Sequence, residues 1–338
     1  MINLDKKKVI VGMSGGVDSS VCALLLKEAG YDVSGVALRL YQPEDDIIAA
    51  EKTCEILGIN FSLIDARKLF EAEVLKNFKE EYSTGRTPNP CLRCNPLVKW
   101  KLLLDEADKI GAYYVATGHY ACIKEIDGTY YVARATDLSK DQSYALCMLP
   151  EDALKRSILP LGAYSKSEIR VIASEHKLPS FEAPDSEDLC FAGSNYSEIF
   201  DAAKEGNFVD INGNILGRHK GISHYTVGQR RGLGIAAGDR TYVIKIDSSS
   251  NDVVLGELDD LNTSSLTCHN INVISDFSDG QPVFFKIRYN HKGECGNIYK
   301  TSDGGIRCEF DNPVRAVAPG QSAVFYADDL IIAGGTID

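Results

Sequence analysis

The stretch Gly12-Met13-Ser14-Gly15-Gly16-Val17-Asp18-Ser19-Ser20 decides the fold, because it joins a predicted buried strand to a predicted helix. The strand is KVIVG, residues 8–12, and the helix covers residues 19–29 with apolar side chains at helical spacing. Glycines let the backbone approach a phosphate, and the first N–H groups of a helix point toward such an anion. Asp18 would repel a phosphate, so the sequence predicts a bridging Mg²⁺. The stretch has neither the Walker A nor the GxGxxG pattern.

The rest of the chain divides into an α/β part and an all-β part. Strands predicted at 33–40, 61–64 and 113–116 alternate with helices predicted at 47–57 and 98–110. This alternation is typical of βαβ units in a parallel sheet, whose functional loops lie at the carboxyl ends of the strands. After about Gly206, short β-branched and aromatic runs alternate with turn signals such as Asn212-Gly213. We therefore expect domains at 1–205, 206–275 and 276–338.

Composition limits the class of protein. The 338 residues include 44% apolar and 25% charged residues, which is ordinary for a globular protein. The formal charge is 36 − 48 = −12, which on its face argues against a nucleic-acid partner. No apolar run is long enough for a membrane span, and no secretory signal is recognisable. Ten cysteines in such a chain predict a reducing, cytoplasmic location and no membrane partner.

Three cysteines lie in unusual contexts. Cys91 and Cys94 form a CxxC pair after the rigid segment Gly85-Arg86-Thr87-Pro88-Asn89-Pro90, and Cys190 follows the acidic turn Asp185-Ser186-Glu187-Asp188. A thiolate is favoured at the start of a helix, where we expect the CxxC pair. Structural zinc needs four ligands, and no second CxxC exists. The other seven cysteines are expected to be packing residues.

Taken together, these segments resemble a known family. SGGVDSS is similar to the PP-loop of the ATP pyrophosphatases, and the loop and cysteine segments together resemble the tRNA-specific 2-thiouridylases. Further segments that carry the resemblance are Ala116-Thr117-Gly118-His119-Tyr120-Ala121, Lys140-Asp141-Gln142-Ser143-Tyr144, Gly217-Arg218-His219-Lys220-Gly221, residues 225–234, Arg288-Tyr289 and Pro319-Gly320-Gln321. The resemblance implies an N-terminal PP-loop domain with a Rossmann-like parallel sheet, then two small all-β domains, the last a β-barrel.

The resemblance also implies a reaction and its partners. ATP with Mg²⁺ adenylates the 2-oxygen of the wobble uridine of a tRNA, and sulfur then displaces AMP to give 2-thiouridine. An upstream donor would supply the sulfur: a cysteine desulfurase, a sulfur-relay protein or sulfide. In this pattern Cys190 carries a persulfide, and Cys94 resolves it through a disulfide.

The family pattern assigns residues by position. The residues expected to hold ATP are Gly12, Met13, Ser14, Gly15, Gly16, Val17, Asp18, Ser19, Leu38 and Gly118. The residues expected to surround the target base are Asn89, Pro90 and Cys91. The residues expected to contact the tRNA elsewhere are His119, Lys140, Asp141, Gln142, Arg288, Tyr289 and Gln321.

One departure from the family keeps a second mechanism open. The family usually has Asp where this chain has Cys91, and Cys cannot replace Asp as a proton-transfer group of similar pKa. Cys91, Cys94 and Cys190 would suit a [4Fe–4S] cluster with one open iron that delivers sulfide. The sequence favours this cluster slightly over the persulfide.

Two other functions compete with thiolation. A small-molecule synthetase such as argininosuccinate synthetase would need the PP-loop but no catalytic cysteines. A non-enzymatic RNA-binding β module on a degenerate nucleotide fold would not need an intact SGGVDSS loop.

Overall fold

The computed structural model describes residues 4–181, 190–191, 204–235 and 241–338. The chain forms two compact units that interleave in sequence. The first contains Met1–Val74, Cys91–Gly193 and Asp329–Ile331, and the second contains Leu75–Pro90, Ser194–Asp328 and Ile332–Asp338. Leu75–Pro90, which lies inside the expected domain 1–205, belongs to the second unit, and the expected boundaries near 205 and 275 stay a prediction. The acidic turn at 185–188 lies outside the described residues.

The first unit is built on the expected parallel sheet, with strand order β3-β2-β1-β4-β7. The strands of this half are β1 Asp5–Gly12, β2 Asp32–Arg39, β3 Asn60–Asp65, β4 Ala112–Ala116, β5 Cys122–Ile126, β6 Thr129–Ala133 and β7 Ser157–Ile158. Strands β5 and β6 form an antiparallel hairpin that sequence patterning did not predict.

Helices cover both faces of the parallel sheet. The helices are α1 Val17–Glu28, α2 Glu44–Leu57, α3 Arg67–Phe70, α4 Lys76–Ser83, α5 Pro90–Cys94, α6 Lys101–Ile110, α7 Glu151–Lys155 and α8 Lys166–Glu175. Val9 and Val11 pack against α1, α2 and α8, while Ile10, between them in sequence, packs against α6. All three side chains are fully buried, as expected for the central strand of a sheet covered on both faces.

One predicted helix is interrupted. The periodic stretch 98–110 was expected to form one α-helix, but the α-helix α6 begins only at Lys101 and is preceded by the π-helical turn Asn95–Trp100. A second π-helical turn is Glu71–Leu75. A π-turn accommodates one extra residue per turn, which apolar spacing alone does not reveal.

The second unit is dominated by β-structure, as predicted. Its strands are β8 Gly206–Val209, β9 Ile215–His219, β10 Tyr242–Asp247, β11 Asp252–Gly256, β12 Asn262–Val273, β13 Gln281–Lys286, β14 Glu294–Lys300, β15 Ile306–Arg315, β16 Ser322–Ala327 and β17 Leu330–Ile337. A four-stranded sheet has the order β10-β11-β8-β9. The six strands β12-β15-β14-β13-β16-β17 close into a barrel through the pairing of β12 with β17, which confirms the expected barrel.

Strand β8 ends at Val209, because Asp210 accepts hydrogen bonds from the backbone N–H groups of Asn212 and Asn214 and turns the chain. Phe285 and Phe325 are fully buried at the centre of the barrel. None of the described helices has the length and apolar character needed to cross a membrane.

Candidate active site

The predicted phosphate loop lies between β1 and α1 and leaves the start of the helix open. Gly16 is the N-cap residue of α1 and provides no side-chain cap. The Ser19 hydroxyl accepts a hydrogen bond from Ser14 N–H at 3.1 Å and lies 3.1 Å from the Ser14 hydroxyl. Gly15 has a φ of +82°, and a Cβ there would lie 2.1 Å from Asp46 O. The loop therefore has a fixed backbone whose helical N–H groups can bind an anion.

The strand end beside the loop also requires glycine. A Cβ on Gly118 would lie 2.8 Å from Asp18 C and from Ser19 N, so the backbone after β4 packs directly on the loop. Leu38 lies near the carboxyl end of β2, where its carbonyl accepts a hydrogen bond from Gln42 Nε2 at 2.7 Å. Both predicted nucleotide contacts thus lie at carboxyl strand ends, where ligands of open α/β sheets bind.

Asp18 is held by two side chains from distant parts of the chain. Lys166 Nζ lies 2.8 Å from both Asp18 carboxylate oxygens, and Tyr120 donates its hydroxyl to Oδ1 at 2.7 Å. Lys166 Nζ also lies 5.7 Å from the centre of the Tyr120 ring. The Lys166 side chain is only 13% exposed, whereas the Asp18 side chain is 32% exposed, so the lysine is shielded from water and the carboxylate is partly accessible. Lys166 therefore forms an ion pair with the Asp18 carboxylate, which was expected to bind Mg²⁺.

Sequence reasoning missed Lys166, although a signal was present. Ser165 and Glu168 form a capping box that starts α8 directly before and after this lysine. A cation in the first turn of a helix is opposed by the helix dipole. A lysine at that position is therefore unfavourable for the helix alone and indicates a partner elsewhere.

The three singled-out cysteines differ in exposure. Cys94 is buried, Cys91 is half-buried and Cys190 is exposed. Burial raises the pKa of the Cys94 thiol to about 12, and the Lys99 ammonium opposes that rise, while Cys190 and Cys91 add to it. These electrostatic effects on the Cys94 pKa indicate that Lys99, Cys91 and Cys190 lie within electrostatic range of Cys94. All ten cysteines of the chain are free thiols.

The cysteines do not form a metal-binding group. Within the described parts of the chain, no cluster of three or more His, Cys, Asp or Glu side chains is arranged to hold a metal ion. Because Cys91, Cys94 and Cys190 all belong to the described residues, the predicted three-thiolate set does not fit this arrangement.

The π-helical turn positions the groups that follow the CxxC pair. Asn95 donates from Nδ2 to Ala145 O at 2.7 Å, and Trp100 donates from Nε1 to Ser157 Oγ at 2.7 Å. These bonds fix both ends of the turn to other elements. The turn places Lys99 so that its charge acts on Cys94.

His119 is a neutral imidazole in this site. Its Nδ1 lies 2.7 Å from the Thr117 hydroxyl, and its ring centre lies 5.6 Å from that of Trp100. Desolvation by burial, with help from the Lys99 ammonium, lowers the His119 pKa to about 3. Any contact with RNA at neutral pH would therefore be a hydrogen bond or stacking interaction and not an ion pair.

Two members of the predicted tRNA loop bond within the protein. The buried Asp141 carboxylate accepts hydrogen bonds from Ala135 N–H at 3.0 Å and from the Ser143 hydroxyl at 2.9 Å. Gln142 Oε1 accepts from Tyr120 N–H at 2.9 Å. These contacts give Asp141 and Gln142 a scaffolding role, and the predicted tRNA contact of the loop stays a prediction.

The second unit contains the predicted residues Asn89, Pro90, Arg288, Tyr289 and Gln321, whereas the first unit contains Cys91 and Lys140. Arg288 donates to Ala316 O at 3.3 Å, and Tyr289 is 39% exposed beneath the Lys286 ammonium. Gln321 donates from Nε2 to Thr87 O at 2.9 Å. Asn89 and Pro90 follow this contact directly in sequence.

The fold and the open loop define a nucleotide-binding α/β domain joined to β-domains, and the family comparisons agree. Residues 7–194 match the family model of the tRNA methyl transferase HUP domain. Residues 198–257 match a tRNA methyl transferase PRC-barrel domain, and residues 263–337 match an aminomethyltransferase beta-barrel domain. The chain belongs to the family of tRNA-specific 2-thiouridylases, as the following relatives show.

The relatives match along their whole length. tRNA-specific 2-thiouridylase MnmA of Lachnoclostridium phytofermentans is 46% identical, over 98% of this chain and 99% of the relative. MnmA of Acetivibrio thermocellus is 42% identical, over 99% of this chain and 100% of the relative.

Solved structures are similar to part of the chain. U34-tRNA thiolase NcsA from Methanococcus maripaludis, with its [4Fe-4S] cluster, is 23% identical with a TM-score of 0.37, covering 58% of this chain and 65% of that chain. NMN synthetase from Francisella tularensis is 16% identical with a TM-score of 0.36, covering 57% and 71%.

The low pKa of His119 gives a testable prediction. A folded-state pKa of about 3, below the usual value of 6.5, means that the unfolded chain binds this proton first as the pH falls. The stability contributed by neutral His119 is therefore complete above about pH 6.5 and is lost progressively toward pH 3. In an NMR titration we expect the His119 imidazole signal, assigned with His119→Asn, to stay unchanged from pH 8 to pH 5. A midpoint between pH 6 and 7 would contradict the assignment of a buried neutral ring.

Proposed function

We propose that this chain is an ATP-dependent tRNA-uridine 2-sulfurtransferase that converts the wobble uridine of certain tRNAs to 2-thiouridine. The observation that carries the proposal is that one unit contains both an open phosphate loop and the Cys94 neighbourhood with Cys91 and Cys190. The full-length similarity to relatives named tRNA-specific 2-thiouridylase supports the substrate.

The first step activates the base. The 2-oxygen of the uridine attacks the α-phosphorus of ATP, so an O–P bond forms and pyrophosphate leaves with the electron pair of the broken P–O bond. The N–H groups at the start of α1 and the hydroxyls of Ser14 and Ser19 would bind the phosphates. Mg²⁺ would neutralise phosphate charge, and Asp18, the carboxylate of the loop, could bind it only after release from Lys166.

The second step transfers sulfur. The terminal sulfur of a Cys190 persulfide attacks C2 of the activated base, and AMP leaves with the C–O electrons. The Cys94 thiolate then attacks Sγ of Cys190, which forms a Cys94–Cys190 disulfide and releases the transferred sulfur on C2 as 2-thiouridine. The Lys99 ammonium favours the thiolate of Cys94 against the effect of burial.

Two external reactants restore the enzyme. A dithiol reductant returns the Cys94–Cys190 disulfide to thiols, and a persulfide donor such as a cysteine desulfurase or relay protein reloads Cys190. The exposure of Cys190 permits that delivery, whereas Cys94 is only 4% exposed. No step is assigned to an iron–sulfur cluster, because the described thiols do not form a ligand set.

The tRNA must be held by local positive charge, since the chain carries a net charge of −12. We assign tRNA contacts to Lys140, His119, Arg288 and Tyr289, and the target base to Asn89, Pro90 and Cys91. Phosphate contacts of this kind weaken as salt increases.

The activity is tested by product analysis. With ATP, a loaded sulfur donor and unmodified tRNA, we expect AMP, pyrophosphate and 2-thiouridine in digested tRNA. Pyrophosphate release that needs aspartate and citrulline instead of tRNA would identify a small-molecule synthetase and overturn the proposal.

Replacing Lys166 tests its role at the phosphate loop. We expect Lys166→Met to raise the KM for ATP about tenfold or more, because a charge-assisted hydrogen bond contributes roughly 1.5–3 kcal/mol. The measurement is tRNA-dependent AMP formation as ATP is varied. Lys52→Met, on the exposed side of α2, is the matched control and should behave as wild type. An unchanged KM for ATP in Lys166→Met would remove this lysine from the site.

Replacing cysteines tests the sulfur route. We expect Cys94→Ser and Cys190→Ser to form no 2-thiouridine while still releasing pyrophosphate in the presence of tRNA, because adenylation does not use the thiols. Cys295→Ser, an exposed cysteine of the barrel, is the control and should retain activity. Protein purified without oxygen should contain no stoichiometric iron. Iron and cluster absorbance that disappear in Cys91→Ser would contradict the persulfide route and favour the cluster.

A further inference from the structure

The segment 86–89, which precedes the CxxC pair, has no helix or strand to provide hydrogen bonds for its backbone N–H and C=O groups. Pro88 and Pro90 have no N–H group. Thr87 is only 8% exposed, so its backbone groups need partners inside the protein.

The C-terminal barrel supplies those partners. Pro319 O accepts a hydrogen bond from Thr87 N–H at 2.7 Å. Gln321 Nε2 donates to Thr87 O at 2.9 Å and lies 3.5 Å from Pro88 O. The side-chain donors of Gln321 are therefore directed at the backbone of this segment.

The barrel turn that carries Gln321 is itself rigid. Gly320 N–H donates to Ile337 O at 2.9 Å, and Ile337 N–H donates to Gln321 O at 2.7 Å. Gly320 has a φ of +87°, and a Cβ there would lie 2.8 Å from Thr87 N. Only glycine permits this close approach.

Arg86 makes a second attachment to the same strand. Its Nη2 donates to Ile337 O at 2.8 Å, and its Nε donates to Glu81 Oε2 at 2.8 Å. We define the barrel clamp as the contacts of Arg86 and Thr87 with Pro319, Gln321 and Ile337.

We propose that Gln321 is a positioning residue: through the barrel clamp it fixes the backbone that leads into Asn89, Pro90 and Cys91, and so places the target-base segment for thiolation. Only three residues separate Thr87 from Cys91, and two of them are prolines that make the connection stiff. A displacement at Thr87 is therefore transmitted to the cysteine pair. The inference deepens the proposed function and rests on it.

This role differs from the tRNA contact that sequence similarity assigned to Gln321. A direct contact would affect tRNA affinity, whereas a positioning role affects the rate after binding. An error of about 1 Å in placement can reduce a rate by as much as 100-fold.

The test compares Gln321→Met and Gln321→Glu with wild type. Both replacements approximate the side-chain length, but neither donates a hydrogen bond to Thr87 O. Gln281→Met is the matched control, because Gln281 lies in the same barrel and its Oε1 accepts from Ser278 N–H in its own turn. Gln321→Arg restores a donor and should recover part of any lost rate.

We expect kcat for 2-thiouridine formation to fall about tenfold in Gln321→Met and Gln321→Glu, with the Kd for tRNA within twofold of wild type. A tenfold weaker Kd with unchanged kcat would instead establish direct tRNA contact. Unchanged values of both would overturn the proposal. If wild type formed no 2-thiouridine, the proposed function would fail, and the measurement below would still test the clamp.

A second measurement needs neither tRNA nor ATP. Iodoacetamide labelling followed by peptide mass spectrometry reports the accessibility of Cys91 and Cys94. Loosening of the segment should increase their labelling several-fold in Gln321→Met, while Cys295 labels at the wild-type rate. Equal labelling of Cys91 and Cys94 in wild type and variant would show that the clamp does not hold this segment. Uniformly faster labelling, Cys295 included, would indicate general unfolding and count against a specific role.

Discussion

The nucleotide end of this protein depends on the shared carboxylate of Asp18. Tyr120, from the turn after β4, and Lys166, at the start of α8, both bond to it, and Gly118 packs directly against the same loop. Both partners are largely shielded from water, which strengthens the attraction between the charges and raises the cost of separating them. The ion pair and the predicted phosphate site therefore share one loop.

The sequence predicts local structure and chemistry well where both are encoded in contiguous residues. The strand–loop–helix motif and the alternation of strands and helices in the first unit follow from spacing and turn residues, and the structure contains them with small shifts at the ends. Sequence patterns do not predict the ion pair of Lys166, because its partner Asp18 is 148 positions away in the chain. Sequence patterns also do not predict that Leu75–Pro90 belongs to the second unit, because this grouping results from tertiary packing.

The same distinction applies to predicted tRNA residues that also bond within the protein. Asp141 and Gln321 were assigned to tRNA by their positions in motifs, and the structure shows that their polar atoms also bond to Ala135, Ser143 and Thr87. A motif records that a residue matters, but it does not say whether the side chain meets the ligand or supports the residues that do. Only hydrogen-bond geometry separates these two roles.

The exposure of the cysteines gives a direction to sulfur flow that does not depend on motif similarity. A sulfur donor of protein size can reach only an exposed thiol, and Cys190 is exposed whereas Cys94 is buried beside Lys99. A buried thiol with a pKa near 12 is a weak nucleophile until a nearby cation or a change in its surroundings favours the thiolate. This difference in exposure supports the proposed assignment of sulfur loading to Cys190 and of resolution to Cys94. Cys91 adds a third, half-buried thiol on the same short helix as Cys94. A thiol at the position where the resemblance predicts Asp can be oxidised or alkylated, which a carboxylate cannot, so oxidation at Cys91 would change chemistry that a carboxylate would leave intact.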